Sequence, residues 1–118
     1  TEHWSLLPEL IRGSEDIFCS MIANDSFYKT DLQTILQSRG VKELIVTGCA
    51  TDFCADATIK SAITRDYFIT VISDGHTATD RPMILAKQVI AYSSWLWSEM
   101  IVTQGMIKVN SIYIGHIF

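Results

Sequence analysis

Two cysteines five residues apart, Cys49 and Cys54, carry the first chemical signal in this chain. They lie in TGCATDFC, where an apolar run ends and a helical pattern begins. A thiol in the first turn of a helix meets unpaired backbone N–H groups and the positive end of the helix dipole. Both favour a thiolate, as they favour any anion. The same amides can hold the oxyanion of a tetrahedral adduct, so Cys54 is placed to attack a carbonyl. Packing is the competing explanation, because free cysteine is among the most often buried residue types. Cys49, at the strand end, fits the place of a small packed hydrophobe. A disulfide between the two needs Cα atoms within about 7 Å, and no resolving-cysteine motif accompanies them.

The segments that must position this loop alternate between strand and helix. Residues 15–22, EDIFCSMI, predict a strand. NDSFYKTDLQTILQSRG then brings Leu32, Ile35 and Leu36 to helical spacing, with Thr30 or Asp31 as N-cap and Gly40 at the stop. A helix of about three turns is expected there. The continuous run Leu44-Ile45-Val46 reads as a parallel strand buried on both faces. DFCADATIKSAITRD is helical, YFITVISDG is a strand, and RPMILAKQVIAYSSWLWSEM is helical with Pro82 in its first turn. Its apolar face runs through Ile84, Leu85, Val89, Ile90 and Trp97, while Tyr92 and Trp95 share a second face suited to core packing or a subunit interface. MIKVNSIYI closes the series as a strand. The expected class is α/β: a parallel sheet with right-handed crossovers and helices on both sides. Functional residues of such sheets gather at the carboxyl ends of strands, which directs attention to MIANDSFY, TGCATDFC and SDGHTATDRP.

Composition narrows the partners. The 118 residues are 48% hydrophobic and 19% charged, enough for one core and too few for two ordinary domains. A formal charge of -4 with no basic stripe works against a nucleic-acid or anionic-membrane partner. No run of eighteen uncharged apolar residues occurs, and TEHWSLLPEL lacks the regions of a signal peptide, so a soluble, cytoplasmic chain is expected. Three cysteines, an odd number without repeated CxxC, point to reduced thiols rather than a disulfide framework or zinc site. His3 and His76 lack a carboxylate at ligand spacing, so no metal is expected.

VTGCATDFCADATIKSA, with the following strand and SDGHTATDRP, resembles the core signature of the isochorismatase-like cysteine hydrolases, which include nicotinamidases, N-carbamoylsarcosine amidases and isochorismatases. DSFYKTDLQTILQSRGVKELIVTG resembles the family's approach to its nucleophile, and the likeness extends from about Leu6 to at least Val89. The resemblance implies a Rossmann-like three-layer fold, here one domain over residues 1–118 apparently without the family's first strands, and hydrolysis of a small-molecule amide or vinyl ether without a cofactor. Cys54 matches the nucleophile. Ala50 and Thr51 match the pair joined by a cis peptide, and the amides of Ala50 and Cys54 match the oxyanion hole. Phe27, Phe53 and His76 are expected to line the substrate pocket, although a loop histidine also serves to bond backbone.

Two departures accompany these matches. The family's catalytic lysine position falls at Met21, and a thioether carries no charge. The family's aspartate belongs to a strand that would precede Thr1. Lys29 is the nearest other cation and Asp25 the nearest other carboxylate, yet solvation explains the first and an Asx turn the second. An impaired hydrolase follows, or a degenerate relative kept as a binding subunit. A sheet without its first strands leaves LIVTG with an open flank, so a homo-oligomer or association with an N-terminal segment is expected.

Overall fold

A computed structural model describes residues 13–111 of the chain. In order it holds α1 (Leu32–Ser38), β1 (Glu43–Cys49), a wide turn (Thr51–Ala55), α2 (Asp56–Thr64), β2 (Phe68–Thr77), α3 (Ala86–Glu99) and β3 (Met106–Asn110). The three strands form one parallel sheet in the order β1-β2-β3. Each crossover contains a helix, as parallel pairing requires.

The core lies on one face of that sheet. Leu44 and Val46 of β1, Ile69 and Val71 of β2, and Ile107 and Val109 of β3 meet Leu32 and Leu36 of α1, Ile59, Ala62 and Ile63 of α2, and Trp97 of α3. Ile59, Ile69, Val71 and Trp97 are almost entirely shielded, and each contributes roughly 1.5–3 kcal/mol of burial. The alternate residues point the other way. Glu43, Ile45, Phe68, Met106 and Lys108 are exposed, Ile45 at 71%. Coverage on both sides, expected from the alternation, is therefore not seen among the described residues: all three helices lie on the Leu44/Ile69/Ile107 side. Within the same residues β1 is an edge strand, as the open flank of LIVTG predicts.

Three elements differ from the sequence expectation for local reasons. Residues 15–22 form bends and extended chain rather than a strand, with Ile17, Phe18 and Ile22 exposed. Among the described residues the segment pairs with no strand, so an alternating pattern there meets no sheet face. Helix α1 has only seven residues, although it stops where expected. The amide of Gly40 donates to the Gln37 carbonyl and that of Val41 to the Leu36 carbonyl, with Gly40 at φ +66. That is a Schellman closure. Helix α3 starts at Ala86, four residues beyond Pro82. Pro82 instead occupies a turn closed by Arg81 and Ile84, and Asp80 Oδ1 accepts the Ala86 amide at 2.8 Å. Ile84 and Leu85 thus fall outside the helix, and its inward face is Val89, Ser93 and Trp97.

No helix among the described residues is long and apolar enough to cross a membrane.

Candidate active site

The C-terminal end of β1 is shaped by a register change. From Val46 opposite Val71 to Gly48 opposite His76, β1 advances two residues while β2 advances five. The extra β2 residues bulge outward, and Gly75 sits where an added Cβ would come within 2.9 Å of Ile72 and 3.1 Å of Thr47. Gly48 has φ +133, a conformation that side chains resist. The chain then passes through a cis peptide between Cys49 and Ala50.

That bond is one residue earlier than the expected Ala50–Thr51 pair. The Ala50 carbonyl already belongs to the following turn, accepting the amides of Phe53 at 3.1 Å and Ala55 at 3.2 Å. The reach from Ala55 to Ala50 makes this a π-type turn, a geometry frequent at functional sites. Cys54 lies within it, just before α2 begins at Asp56.

A cavity of about 210 Å³ opens beside Cys54, lined by Met21, Ser26, Val46, Thr47, Gly48, Cys49, Cys54, Ala55 and Thr58. The Cys54 thiol lies 3.6 Å from Asn24 Oδ1, in donating geometry. Thr58, one helical turn beyond Cys54, places its hydroxyl 3.0 Å from Ser26 Oγ and 3.4 Å from the Asn24 carbonyl. It also accepts the Ser26 amide at 3.0 Å. The Ser26 hydroxyl in turn reaches Met21 Sδ at 3.1 Å. Met21 therefore stands in the same cavity as the thiol, and among the described residues no lysine or carboxylate lines that cavity. Cys49 shares it, and all three cysteines are free thiols.

The pocket residues expected from sequence disperse. Phe27 is buried in the core, stacked on Tyr67 at 6.0 Å between centroids, because its side chain joins the helix-facing cluster. Phe53 is half exposed on the outer side of the turn, under the Arg81 guanidinium at 4.6 Å. His76 is 4% exposed and lies behind the turn, outside the cavity. Its Nδ1 is 2.8 Å from Thr51 Oγ1 and its Nε2 3.0 Å from Ser94 Oγ, so both ring nitrogens are occupied. Its ring meets Trp97 edge-on at 5.1 Å, and burial pushes its imidazole below the usual histidine range.

Neither alternative proton carrier enters the cavity. Lys29 has φ +49 and rests its ammonium 5.5 Å from the Tyr28 ring. The Asp25 carboxylate accepts the Phe27 amide at 2.8 Å, the Asx turn expected of it.

Sequence reasoning missed Asn24, Thr58, Ser94 and the Asp52–Arg81 pair. Arg81 donates to both Asp52 oxygens at 2.7 and 2.8 Å, and this hydrogen bonding holds the carboxyl below its ordinary value. Thr58 was accessible from the sequence, four residues after Cys54 on one helix face. The others depend on segments distant in the chain. Among the described residues no group of three or more His, Cys, Asp or Glu is arranged to hold a metal.

Comparison with known proteins gives a consistent picture. Residues 1–89 match the sequence model of the Isochorismatase domain. A solved isochorismatase family protein superposes with a TM-score of 0.84 at 24% identity, covering 94% of this chain and 64% of its own. A cysteine hydrolase from Pseudomonas syringae gives 0.82 at 25% identity, covering 93% and 52%. N-carbamoylsarcosine amidase from Thermoplasma acidophilum gives 0.65 at 23% identity, covering 88% and 54%. The chain thus spans between about half and two thirds of the length of these proteins.

Proposed function

The chain belongs to the isochorismatase domain family, and from that premise we propose that it is a cysteine-dependent hydrolase of a small-molecule C–N bond, slowed by Met21. The vinyl ether of the isochorismatase branch is the other bond class within this proposal. The observation that carries it is Cys54, held on a wide turn at the mouth of a 210 Å³ cavity beyond the parallel strand β1.

For an amide or N-carbamoyl substrate the chemistry runs through an acyl-enzyme. The Cys54 thiolate adds to the carbonyl carbon, and the resulting oxyanion is taken by the backbone amides of Ala50 and Cys54. Collapse breaks the C–N bond, and the amine leaves with a proton it must acquire. Water then cleaves the thioester, giving the acid and the free thiol. Met21 has no proton to give, and a missing acid–base step costs about 10²–10⁴-fold. Turnover by this chain is accordingly slow.

The test is ammonia release from a panel of small primary amides and N-carbamoyl compounds, with Cys54→Ala as control. Release that disappears in the variant supports the proposal, and release unaffected by Cys54→Ala overturns it. A second reading draws on Met21 alone: a family member that keeps the cavity for binding without turnover. Saturable amide binding without ammonia release, unchanged in Cys54→Ala, establishes that one.

We further propose that the exposed β1 edge and the Ile45/Phe68/Met106 face are covered by a second copy of the chain or a preceding segment. Sedimentation of the chain reports the first of these directly.

A further inference from the structure

His76 entered as a pocket residue and stands instead behind the nucleophile turn, and its surroundings give it a different task. Besides the long thiol contact to Asn24, two side chains of the turn are anchored among the described residues. One is Asp52, paired with Arg81 at the turn's outer surface, where water competes for both partners. The other is Thr51, fully buried, whose hydroxyl meets His76 Nδ1 at 2.8 Å. The second ring nitrogen reaches Ser94 on α3 at 3.0 Å, and the ring edge is fixed against Trp97. The β2 bulge sets His76 opposite Gly48, directly before the cis peptide and the turn.

We propose that His76 is a positioning residue for Cys54: its imidazole ties Thr51, the first residue of the turn, to Ser94 on α3, and so fixes where the thiol and the turn's amides point. A neutral ring has one N–H and one bare nitrogen. One hydroxyl therefore accepts from the ring while the other donates to it, and neither nitrogen is left unpaired. Burial keeps the ring in this neutral form at pH 7. The contact acts through Thr51, since His76 does not reach the cavity.

The inference rests on the reading of Cys54 as nucleophile, but its test needs no turnover. Iodoacetamide labelling of the full chain, followed peptide by peptide, gives the rate at Cys54 relative to Cys19 within each molecule. His76→Asn leaves a polar atom near the place of Nδ1, whereas His76→Gln leaves one near the place of Nε2. Thr51→Ser keeps the hydroxyl and Thr51→Val removes it without changing shape. Ratios within about twofold of wild type are expected for His76→Asn and Thr51→Ser, and a drop of about tenfold for His76→Gln and Thr51→Val. An unchanged ratio in His76→Gln and Thr51→Val overturns the proposal, as does an equal drop in all four. Should the histidine variants not fold, the two Thr51 variants carry the same comparison with the imidazole in place. Labelling as expected without any ammonia release removes the hydrolase reading and leaves the positioning role, while amide turnover with unchanged ratios removes the positioning role alone.

Discussion

The two sides of the Thr51–Ala55 turn are built from different chemistry. Behind it, Thr51, His76, Ser94, Trp97 and Asp56 form paired polar contacts around a buried indole, whose Nε1 donates to Asp56 at 2.9 Å. In front of it, Cys54 faces Met21, Ser26, Thr58 and Cys49, a neutral cavity with weak sulfur contacts at 3.1 and 3.6 Å. The rear is where the turn is joined to the fold. A buried polar group left without its partner there costs about 1–3 kcal/mol. The front is held by fewer and weaker contacts, Met21 Sδ to the Ser26 hydroxyl and the Cys54 thiol to Asn24. Scaffold and cavity are thus built separately, and substitutions on either side test that separation.

The largest effect is expected at the rear. Trp97→Ala should cost about 3–5 kcal/mol, because the side chain is fully buried and its loss leaves a cavity beside His76 and takes the indole donor from Asp56, which keeps only its Lys60 partner at 3.0 Å. Urea denaturation measures this. Met21→Ala, at the half-open front, should shift the same midpoint far less, and equal shifts would break the comparison.

Next in size is a front-side gain. Met21→Lys places an ammonium in the cavity of Cys54, and amide turnover should rise by about 10²-fold, the lower end of what a positioned proton donor supplies. Ammonia release at matched protein concentration reads it. No gain would mean that the front lacks more than this one proton carrier.

A smaller effect is pH-dependent and belongs to the rear. Folding holds the His76 pKa below its ordinary value, so the unfolded chain binds the proton more readily. The stability tied to neutral His76 is present above about pH 6.5 and is lost as pH falls through and below that value. The contacts of its ring, Thr51, Ser94 and Trp97, are uncharged, so none of them offsets a proton there. Urea midpoints should therefore fall between pH 7.5 and 5.5 in the wild type and fall less in His76→Asn. Asp52, whose carboxyl is held low, acts with the opposite sign of charge and in a lower window: its contribution is lost only as pH falls below about 4.

The smallest effect is expected at the outer ion pair. Arg81→Ala should lower stability by about 1 kcal/mol, since an ion pair still open to water on both side chains is worth little. It should also free the Phe53 ring, measurable as faster proteolysis within residues 78–85.

Much of this architecture is written locally. The β1, α2, β2, α3 and β3 segments follow from apolar runs and helical spacing, and Gly40 marks the end of α1 as its conformation requires. Cys54 and Met21 were singled out through the family resemblance, and they line one cavity. Residues 15–22 mislead because an apolar run reports burial only if a sheet face receives it. Phe27 is a different case, since an aromatic residue before a helix suits a pocket or a core equally well: it joins the core cluster and also lines a cavity that shares Ser26, Val46, Thr47 and Thr58 with the one beside Cys54.

What the sequence alone determined was the alternation of elements from β1 to β3 and their parallel class, because propensity and periodicity act over a few residues. What tertiary structure decided was which distant residues meet the turn of Cys54. Thr51 and His76 are 25 residues apart, Asp52 and Arg81 29, and Cys54 and Asn24 30. Their encounters depend on the β2 bulge, the late start of α3 and the one-sided packing of the helices. Those features are set by how whole surfaces fit together, and no window of neighbouring residues encodes them.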